Sequence, residues 1–201
     1  MKISKKLVVA LVIALLMMAK GGYMQAKAHF AQYLIEHAFD KTLLDQQPHK
    51  PWSWADTYPV AKMTFLRHID NGKPKSMYVL AGSSGRTLAF GPGMMMLGAD
   101  VTEHGNTIIA GHRDTHFSLL EFVSVGDIIE LINYEGYQIQ YEVEKVEIVH
   151  ESDTQILQPT QENILTLVTC YPFQDLASQT EYRYVIQAKS IDISYRLQHS
   201  A

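Results

Sequence analysis

The pattern of apolar and polar residues divides the chain into three parts. Residues 7–19 form an unbroken apolar run directly after the basic leader MKISKK. Residues 26–47 then carry apolar side chains at helical spacing, and Pro48 follows them. From Trp52 onward, short runs rich in β-branched and aromatic residues alternate with turn formers such as NGKP and SVGD. This pattern predicts an apolar leader, a helical connection and a domain made of strands.

The apolar leader predicts export from the cytoplasm. Its core is short for a membrane span, but counting from Leu7 to Ala26 gives about the 20 residues that a spanning helix needs. We predict a retained anchor over residues 1–26, with a cleaved signal peptide as the alternative. In both cases the basic end stays inside and the rest is exported. The expected location is the cytoplasmic (inner) membrane, single-pass, with the N-terminus inside and the main domain outside the cytoplasm, in the periplasm if the cell is Gram-negative.

The remainder of the chain predicts a mainly β domain. The segment YQIQYEVEKVEIV, residues 137–149, alternates apolar and polar side chains, which is typical of a sheet with one solvated face. Many short strands with few helices predict a barrel or a sandwich. The predicted organisation is an anchor at 1–26, a helical linker at 27–50 and a β domain at 51–201.

Composition removes several classes of function. The net charge of −4 gives no electrostatic reason to expect a nucleic-acid partner. A single cysteine excludes an internal disulfide and any zinc site with several thiolates. The glycine-rich segment 83–98 lacks the Gly-Lys-Ser/Thr ending of a phosphate-binding loop. Met94–Met96 within it are predicted to line the core or a groove, because thioethers alone suit only soft copper.

Three polar residues stand at the ends of predicted strands. His112 follows the apolar run NTIIAG, Cys170 ends NILTLVTC, and Arg183 lies at the start of YRYVIQAK. Antiparallel neighbours bring the end of one strand beside the beginning of the next, so these three side chains can meet at one end of a barrel.

The three residue types fit nucleophilic catalysis. A thiolate is a strong nucleophile, and a neighbouring imidazolium favours it. The histidine can protonate a departing amine, and the arginine offers donors to a carbonyl or its oxyanion.

Structural explanations of the same residues remain open at this level. A lone cysteine in an apolar strand is usually a small core residue, and a lone histidine after a strand is usually structural. Asp114 either orients His112 or is a surface charge. A metal site built from His104, His112, His116 and Cys170 is a minor alternative, and we predict none.

Taken together, the motifs resemble one known family. AGHRDTHF (110–117), TLVTCYPF (166–173) and YRYVIQA (182–188) are similar to the motifs of sortases. PWSWADTYPVAKM (51–63) and SSGRTLAFGPG (83–93) look most similar to the Gram-negative, proteobacterial subgroup.

The resemblance implies a closed eight-stranded β-barrel and a membrane-tethered cysteine transpeptidase. Such an enzyme cleaves an LPXTG-like sorting signal between Thr and Gly, holds the acyl group as a thioester and passes it to an amine. Carried over to this chain, Cys170 is the nucleophile, His112 the general acid and base, and Arg183 the substrate and oxyanion clamp; Thr169 is expected to line the substrate site. The implied partners are an exported protein with such a C-terminal signal and an amine acceptor, with no cofactor. Two alternatives remain, a thiol peptidase that releases its substrate to water and a catalytically silent peptide-binding barrel.

Overall fold

The computed structural model describes residues 5–99, 101, 104–174 and 180–196, with the backbone alone at residues 7, 9, 10, 69 and 192–196. These residues form a closed barrel of eight strands, as predicted. The strands are β1 (Pro59–Asp70), β2 (Lys73–Ala81), β3 (Gly93–Met94), β4 (Asn106–Ala110), β5 (Ile128–Asn133), β6 (Tyr137–His150), β7 (Ile164–Tyr171) and β8 (Tyr182–Arg196). Their order around the barrel is β1-β2-β3-β4-β7-β8-β6-β5, and β5 pairs back onto β1.

Helices are few in the described part of the chain. The long helix α1 spans Lys5–Asp45, and the short helix α2 spans Gly85–Leu88. Two 3-10 turns lie at Ser118–Phe122 and Gln155–Leu157.

Helix α1 covers both segments that the sequence divides into anchor and linker. It ends at Asp45, because Gln46 adopts a φ of 61° and Pro48 cannot continue the helix. Its C-terminal part packs on the barrel through side chains spaced three or four residues apart. The buried side chains are Ile35, Ala38, Phe39 and Thr42.

The predicted membrane anchor is not found as a membrane-spanning helix. Among the described residues, none of the helices has the length and apolar character needed to cross a membrane. Residues 1–4 of the predicted anchor, and three side chains of its apolar core, lie outside the described residues.

The described side chains in the barrel interior form one large apolar cluster. Along β6, Ile139, Tyr141 and Val143 are buried while the residues between them are more exposed, which confirms the alternation read from the sequence. In β7 the interior side chains are Leu165 and Leu167. Alternate residues of a strand point to opposite faces, so Thr166, Val168 and Cys170 lie on the outer face of the barrel.

Candidate active site

Cys170 and Arg183 are direct partners across two antiparallel strands. The register of β7 and β8 places Leu165 opposite Ala188 and, five residues on, Cys170 opposite Arg183. Opposite residues of such a pair project from the same face, with Cα atoms about 4.5–5.5 Å apart. The thiol and the guanidinium group therefore leave the outer face of the barrel side by side.

His112 reaches the same end of the barrel through a different pairing. Strand β4 runs parallel to β7, with Ala110 opposite Val168. His112 follows Ala110 by two residues and Cys170 follows Val168 by two, so both lie at the same level. The N–H of Gly111 donates to the carbonyl of Val168 at 3.1 Å, which holds the first residue after β4 against β7. The structure therefore brings the three predicted residues to one end of three adjacent strands.

The glycine before His112 is required by packing. A Cβ at Gly111 would lie 2.7 Å from two ring carbons of Phe117, which is itself fully buried. The backbone before His112 can approach this ring only without a side chain. The Gly-His pair thus sets the path on which the chain leaves β4.

Thr169 lies on the other face from Cys170. Its side chain is only 2% exposed and shares the interior face with Leu165 and Leu167. Its hydroxyl donates to the carbonyl of Gly111 at 2.7 Å. The hydroxyl therefore fixes the backbone next to His112, and the placement of Thr169 in the substrate site stays a prediction.

Arg183 is oriented by hydrogen bonds to the residues just before it and to Glu151, which follows β6. Its Nη2 donates to Oε2 of Glu151 at 2.6 Å, and its Nη1 donates to the carbonyls of Thr180 (2.6 Å) and Tyr182 (2.9 Å). Three of the five N–H donors are engaged in these contacts, and two point elsewhere. Glu151 was missed by sequence reasoning, because only the pairing of β6 with β8 places it beside Arg183.

Arg113 is a second arginine that the sequence did not single out. Its side chain is only 5% exposed. Nη1 donates to the carbonyl of Pro172 at 2.9 Å, and Nε donates to Oδ1 of Asp114 at 3.3 Å. Asp114 thus accepts from Arg113, while its own side chain is 67% exposed. The signal in the sequence was an arginine directly after the Gly-His pair.

A buried polar contact holds the β6–β7 connection beside the outer face of the barrel. The hydroxyl of Thr166 donates to Oδ1 of Asn106 at 2.6 Å, and the Asn106 amide donates to the carbonyl of Ile156 at 2.9 Å. Both side chains are buried on the outer face of β7 and β4. This connection therefore forms a wall next to the strand that carries Cys170.

Cys170 itself is half-buried and forms no disulfide. Aromatic rings that follow Cys170 and Arg183 in the chain contact one another: the ring of Phe173 lies 5.0 Å from that of Tyr184, and Tyr171 stacks on Tyr184 at 6.2 Å. Burial raises the pKa of Tyr184, and the charges of Tyr171 and Glu121 add to the effect.

A second histidine lies near His112. Burial lowers the pKa of His116 below its usual value, and the charges of His112 and Lys75 lower it further. Among the described residues, no three His, Cys, Asp or Glu side chains lie close enough together to hold a metal ion.

The methionines of the glycine-rich segment divide between two environments. Met94 packs against the barrel core, in agreement with one predicted role. Met96 is 93% exposed. It belongs to a bulge between Met95 and Ala99, whose N–H groups donate to β4 carbonyls.

Comparison with known proteins identifies relatives that share the region containing the candidate site. A family model described as the sortase domain matches residues 68–191, which include His112, Cys170 and Arg183. Sortase D of Bacillus subtilis is 36% identical over 91 residues, which is 44% of each chain. The aligned region thus spans less than half of that relative.

Solved structures are similar over a larger part of the chain. A sortase D5 transpeptidase of Clostridium perfringens superposes with a TM-score of 0.62 at 22% identity, covering 82% of this chain and 99% of that one. The catalytic domain of SrtD from Bacillus anthracis gives 0.54 at 31% identity, covering 67% and 88%. Sortase A of Corynebacterium diphtheriae gives 0.58 at 24% identity, covering 70% and 64%. Because the family model matches residues 68–191, which is more than half of the chain, the chain belongs to the sortase family.

Proposed function

We propose that this protein cleaves an LPXTG-like sorting signal between Thr and Gly and transfers the Thr acyl group to an amine. The observation that carries the proposal is the placement of Cys170, opposite Arg183 and level with His112 on the outer face of the barrel. An extended peptide on this face meets a nucleophile, a proton carrier and a fixed cation at one point. The assignment to the proteobacterial subgroup stays a prediction from the quoted motifs.

The first half of the reaction forms a thioester. The Sγ of Cys170, as thiolate, attacks the carbonyl carbon of the signal's Thr. The bond from that carbon to the Gly nitrogen breaks, and His112 as imidazolium gives its proton to the departing amine. The products are an acyl-enzyme, a neutral His112 and the released C-terminal fragment.

The second half restores the enzyme. The incoming amine attacks the thioester carbonyl, loses a proton to His112 and forms a new amide. The C–S bond breaks, so Cys170 leaves as thiolate and His112 is again imidazolium. Water in place of the amine gives hydrolysis by the same steps, which is the alternative peptidase activity.

Arg183 stabilises the negative charge that develops on the carbonyl oxygen in both halves. Glu151 and two backbone carbonyls engage three of its donors. The two remaining donors are free of these contacts, and a guanidinium fork suits a carbonyl oxygen. A donor held in place before the reaction costs no reorganisation in the transition state.

We also propose that the protein works at a membrane, with the basic N-terminus inside the cell and the barrel outside the cytoplasm. Its support is the apolar run directly after the basic leader and the exposed apolar side chains in the N-terminal part of α1, such as Leu11, Leu16 and Met17. Extraction of isolated membranes at alkaline pH tests the attachment. Release of the full-length chain into the supernatant would contradict it.

The decisive experiment uses the whole chain, an LPXTG-type peptide and an amine acceptor such as triglycine. Mass spectrometry should detect a thioester on Cys170 and a ligated peptide, and Cys170→Ala should give neither. Equal turnover by Cys170→Ala, or the absence of any adduct on the wild type, would contradict the proposal. Thioester formation followed only by hydrolysis at high amine concentration would instead identify a peptidase.

A further inference from the structure

Arg113 is a buried cation at the edge of the site, with no role in the reaction steps above. Its side chain is 5% exposed, and it directly follows His112. Burying a guanidinium group is costly unless its donors are well paired. A buried arginine is therefore expected where its hydrogen bonds hold two chain segments in a relative position that an apolar side chain cannot maintain.

The contacts of Arg113 cross from the histidine loop to the cysteine strand. Nη1 donates to the carbonyl of Pro172 at 2.9 Å, and Pro172 comes two residues after Cys170. On the other side of His112, the N–H of Gly111 donates to the carbonyl of Val168, two residues before Cys170. The two hydrogen bonds therefore bracket His112 on one segment and Cys170 on the other.

A second contact fixes the fork of Arg113 in its own loop. Nε donates to Oδ1 of Asp114 at 3.3 Å, while Nη1 reaches Pro172. Because a guanidinium group is planar and rigid, two acceptors on different segments hold those segments at a fixed distance. Lysine carries its three donors on one nitrogen atom and cannot hold both acceptors in the same way.

We propose that Arg113 is a positioning residue that sets the distance and orientation of the His112 imidazole relative to the Cys170 thiol. The inference rests on the proposed function, because it gives His112 and Cys170 their roles. Its guanidinium group contacts the carbonyl of Pro172 and the carboxylate of Asp114. Its effect on the reaction passes through His112.

A double-mutant cycle tests this role without any sorting peptide. The rate of alkylation of Cys170 by iodoacetamide is measured at pH 7 for the wild type, His112→Ala, Arg113→Met and the double variant. Methionine keeps an unbranched apolar chain of similar reach and removes all five donors. We expect Arg113→Met to react at the rate of His112→Ala, and the double variant to show no further change.

Two results would overturn the inference. One is an alkylation rate of Arg113→Met equal to that of the wild type. The other is a double variant whose change is the sum of the two single changes, since Arg113 would then act independently of His112. If His112→Ala leaves the alkylation rate unchanged, any change in rate caused by Arg113→Met cannot pass through His112. That result would also overturn the inference.

Controls separate positioning from folding. Arg86→Met removes an exposed arginine that lies 3.7 Å from Asp56, and it should alkylate as the wild type does. If Arg113→Met does not fold, Arg113→Lys replaces it in the double-mutant cycle. We then expect a smaller decrease in the alkylation rate in the wild-type background and no decrease in the His112→Ala background. Melting temperatures of all variants are measured in parallel.

The peptide reaction adds a readout that a purely structural role would not change. A displacement of about 1 Å at a catalytic group costs on the order of 10²-fold in rate. We therefore expect kcat for the LPXTG-type peptide to fall by up to that factor in Arg113→Met, with KM unchanged and with partial recovery in Arg113→Lys. An increase in KM at constant kcat would contradict positioning. If the wild type forms no thioester with the peptide, the proposed function fails, while the alkylation cycle still tests Arg113.

Discussion

The backbone of Gly111 lies directly against the ring of Phe117, so that a methyl group at Gly111 would come within 2.7 Å of two ring carbons. Phe117 is fully buried and belongs to the barrel core. The ring therefore cannot turn away into solvent. The path of the chain into His112 depends on this one absent side chain.

Gly111→Ala should both destabilise the protein and reduce its activity. Overpacking of a filled core costs about 1–3 kcal/mol, and relief by a backbone shift would displace His112, the next residue. Thermal unfolding and thioester formation measure the two effects. The control is Gly85→Ala, where the added methyl group meets nothing within 4 Å. Wild-type stability in Gly111→Ala would show that the ring has room to move.

Thr169→Val should weaken the link between the Cys170 strand and the His112 loop. Valine keeps the shape of threonine but removes the hydroxyl that donates to the Gly111 carbonyl at 2.7 Å. Loss of a donor to a buried carbonyl costs about 1–3 kcal/mol. We expect a lower melting temperature and a lower kcat, since the carbonyl belongs to the residue before His112.

A matched variant isolates the contribution of the site. Thr64 is buried on β1 and bonds to the hydroxyl of Ser76 at 3.0 Å. Thr64→Val should change stability without changing kcat. If both variants reduce kcat equally at matched stability, the Thr169 hydroxyl has no special role in placing His112.

The main features of the fold and the three candidate site residues were predictable because short stretches of the sequence encode them. Strand periodicity survives in the sequence, and His112, Cys170 and Arg183 mark strand ends. Glu151 and Arg113 were not predictable, because each acquires its role from a partner about 30 to 60 residues away. Contacts at this range depend on register and loop path, which no short motif encodes.

Thr169 and helix α1 show the same limit. The motif identified Thr169, but only the register with the core shows that its side chain faces inward. Phe30 and Leu44 fitted the helical spacing, yet both are exposed. A helix can carry more than one row of apolar side chains, and packing against the barrel determines which row is buried.

Acid should weaken the barrel partly through Asp127, the residue directly before β5. Burial works to raise the pKa of Asp127, but hydrogen bonds from Arg67, the Ser124 N–H and His68 together hold that pKa below its usual value. A carboxyl group with a lowered pKa in the folded state adds stability above its unfolded pKa of about 3.9. This stability is lost as the pH falls through the folded pKa.

Asp127→Asn should therefore be less stable than the wild type at pH 7, by on the order of 2 kcal/mol for hydrogen bonds to a charged group. The difference should shrink as the pH falls below about 4, because the carboxyl group of the unfolded chain is then protonated first and that of the folded protein at lower pH. Urea unfolding at several pH values measures it. A difference that stays constant down to pH 2 would assign the loss to packing and not to charge.

Arg183→Lys should reduce kcat/KM for the sorting peptide by on the order of 10²–10³-fold, as expected for the loss of an oxyanion donor. Lysine keeps the positive charge but has a single donor group in place of a fork. Because Arg183 lies opposite Cys170, the loss should appear in kcat more than in KM. Steady-state kinetics separates the two. Near wild-type activity in Arg183→Lys would mean that charge alone suffices at this position.

Glu151 should support this arginine by orienting it. Its Oε2 accepts from Nη2 of Arg183 at 2.6 Å, and the two side chains are 49% and 28% exposed. Ion pairs of this exposure contribute about 0–1 kcal/mol to stability, so Glu151→Gln and Glu151→Ala should fold normally. Their kcat/KM should fall in the order wild type, Gln, Ala, because the Gln amide oxygen still accepts a hydrogen bond and Ala offers none.

The matched control lies on the same loop and the same strand. Glu162 pairs with Lys189 of β8 at 2.9 Å, and Glu162→Gln removes one charge from an ion pair of similar exposure. It should leave kcat/KM unchanged, since Lys189 is far along β8 from Arg183. If Glu151→Gln instead raises kcat/KM while Glu162→Gln does not, Glu151 competes with the substrate for Arg183. The carboxylate would then restrain the enzyme before substrate binds, and its removal would lower KM as the guanidinium group became available to the peptide.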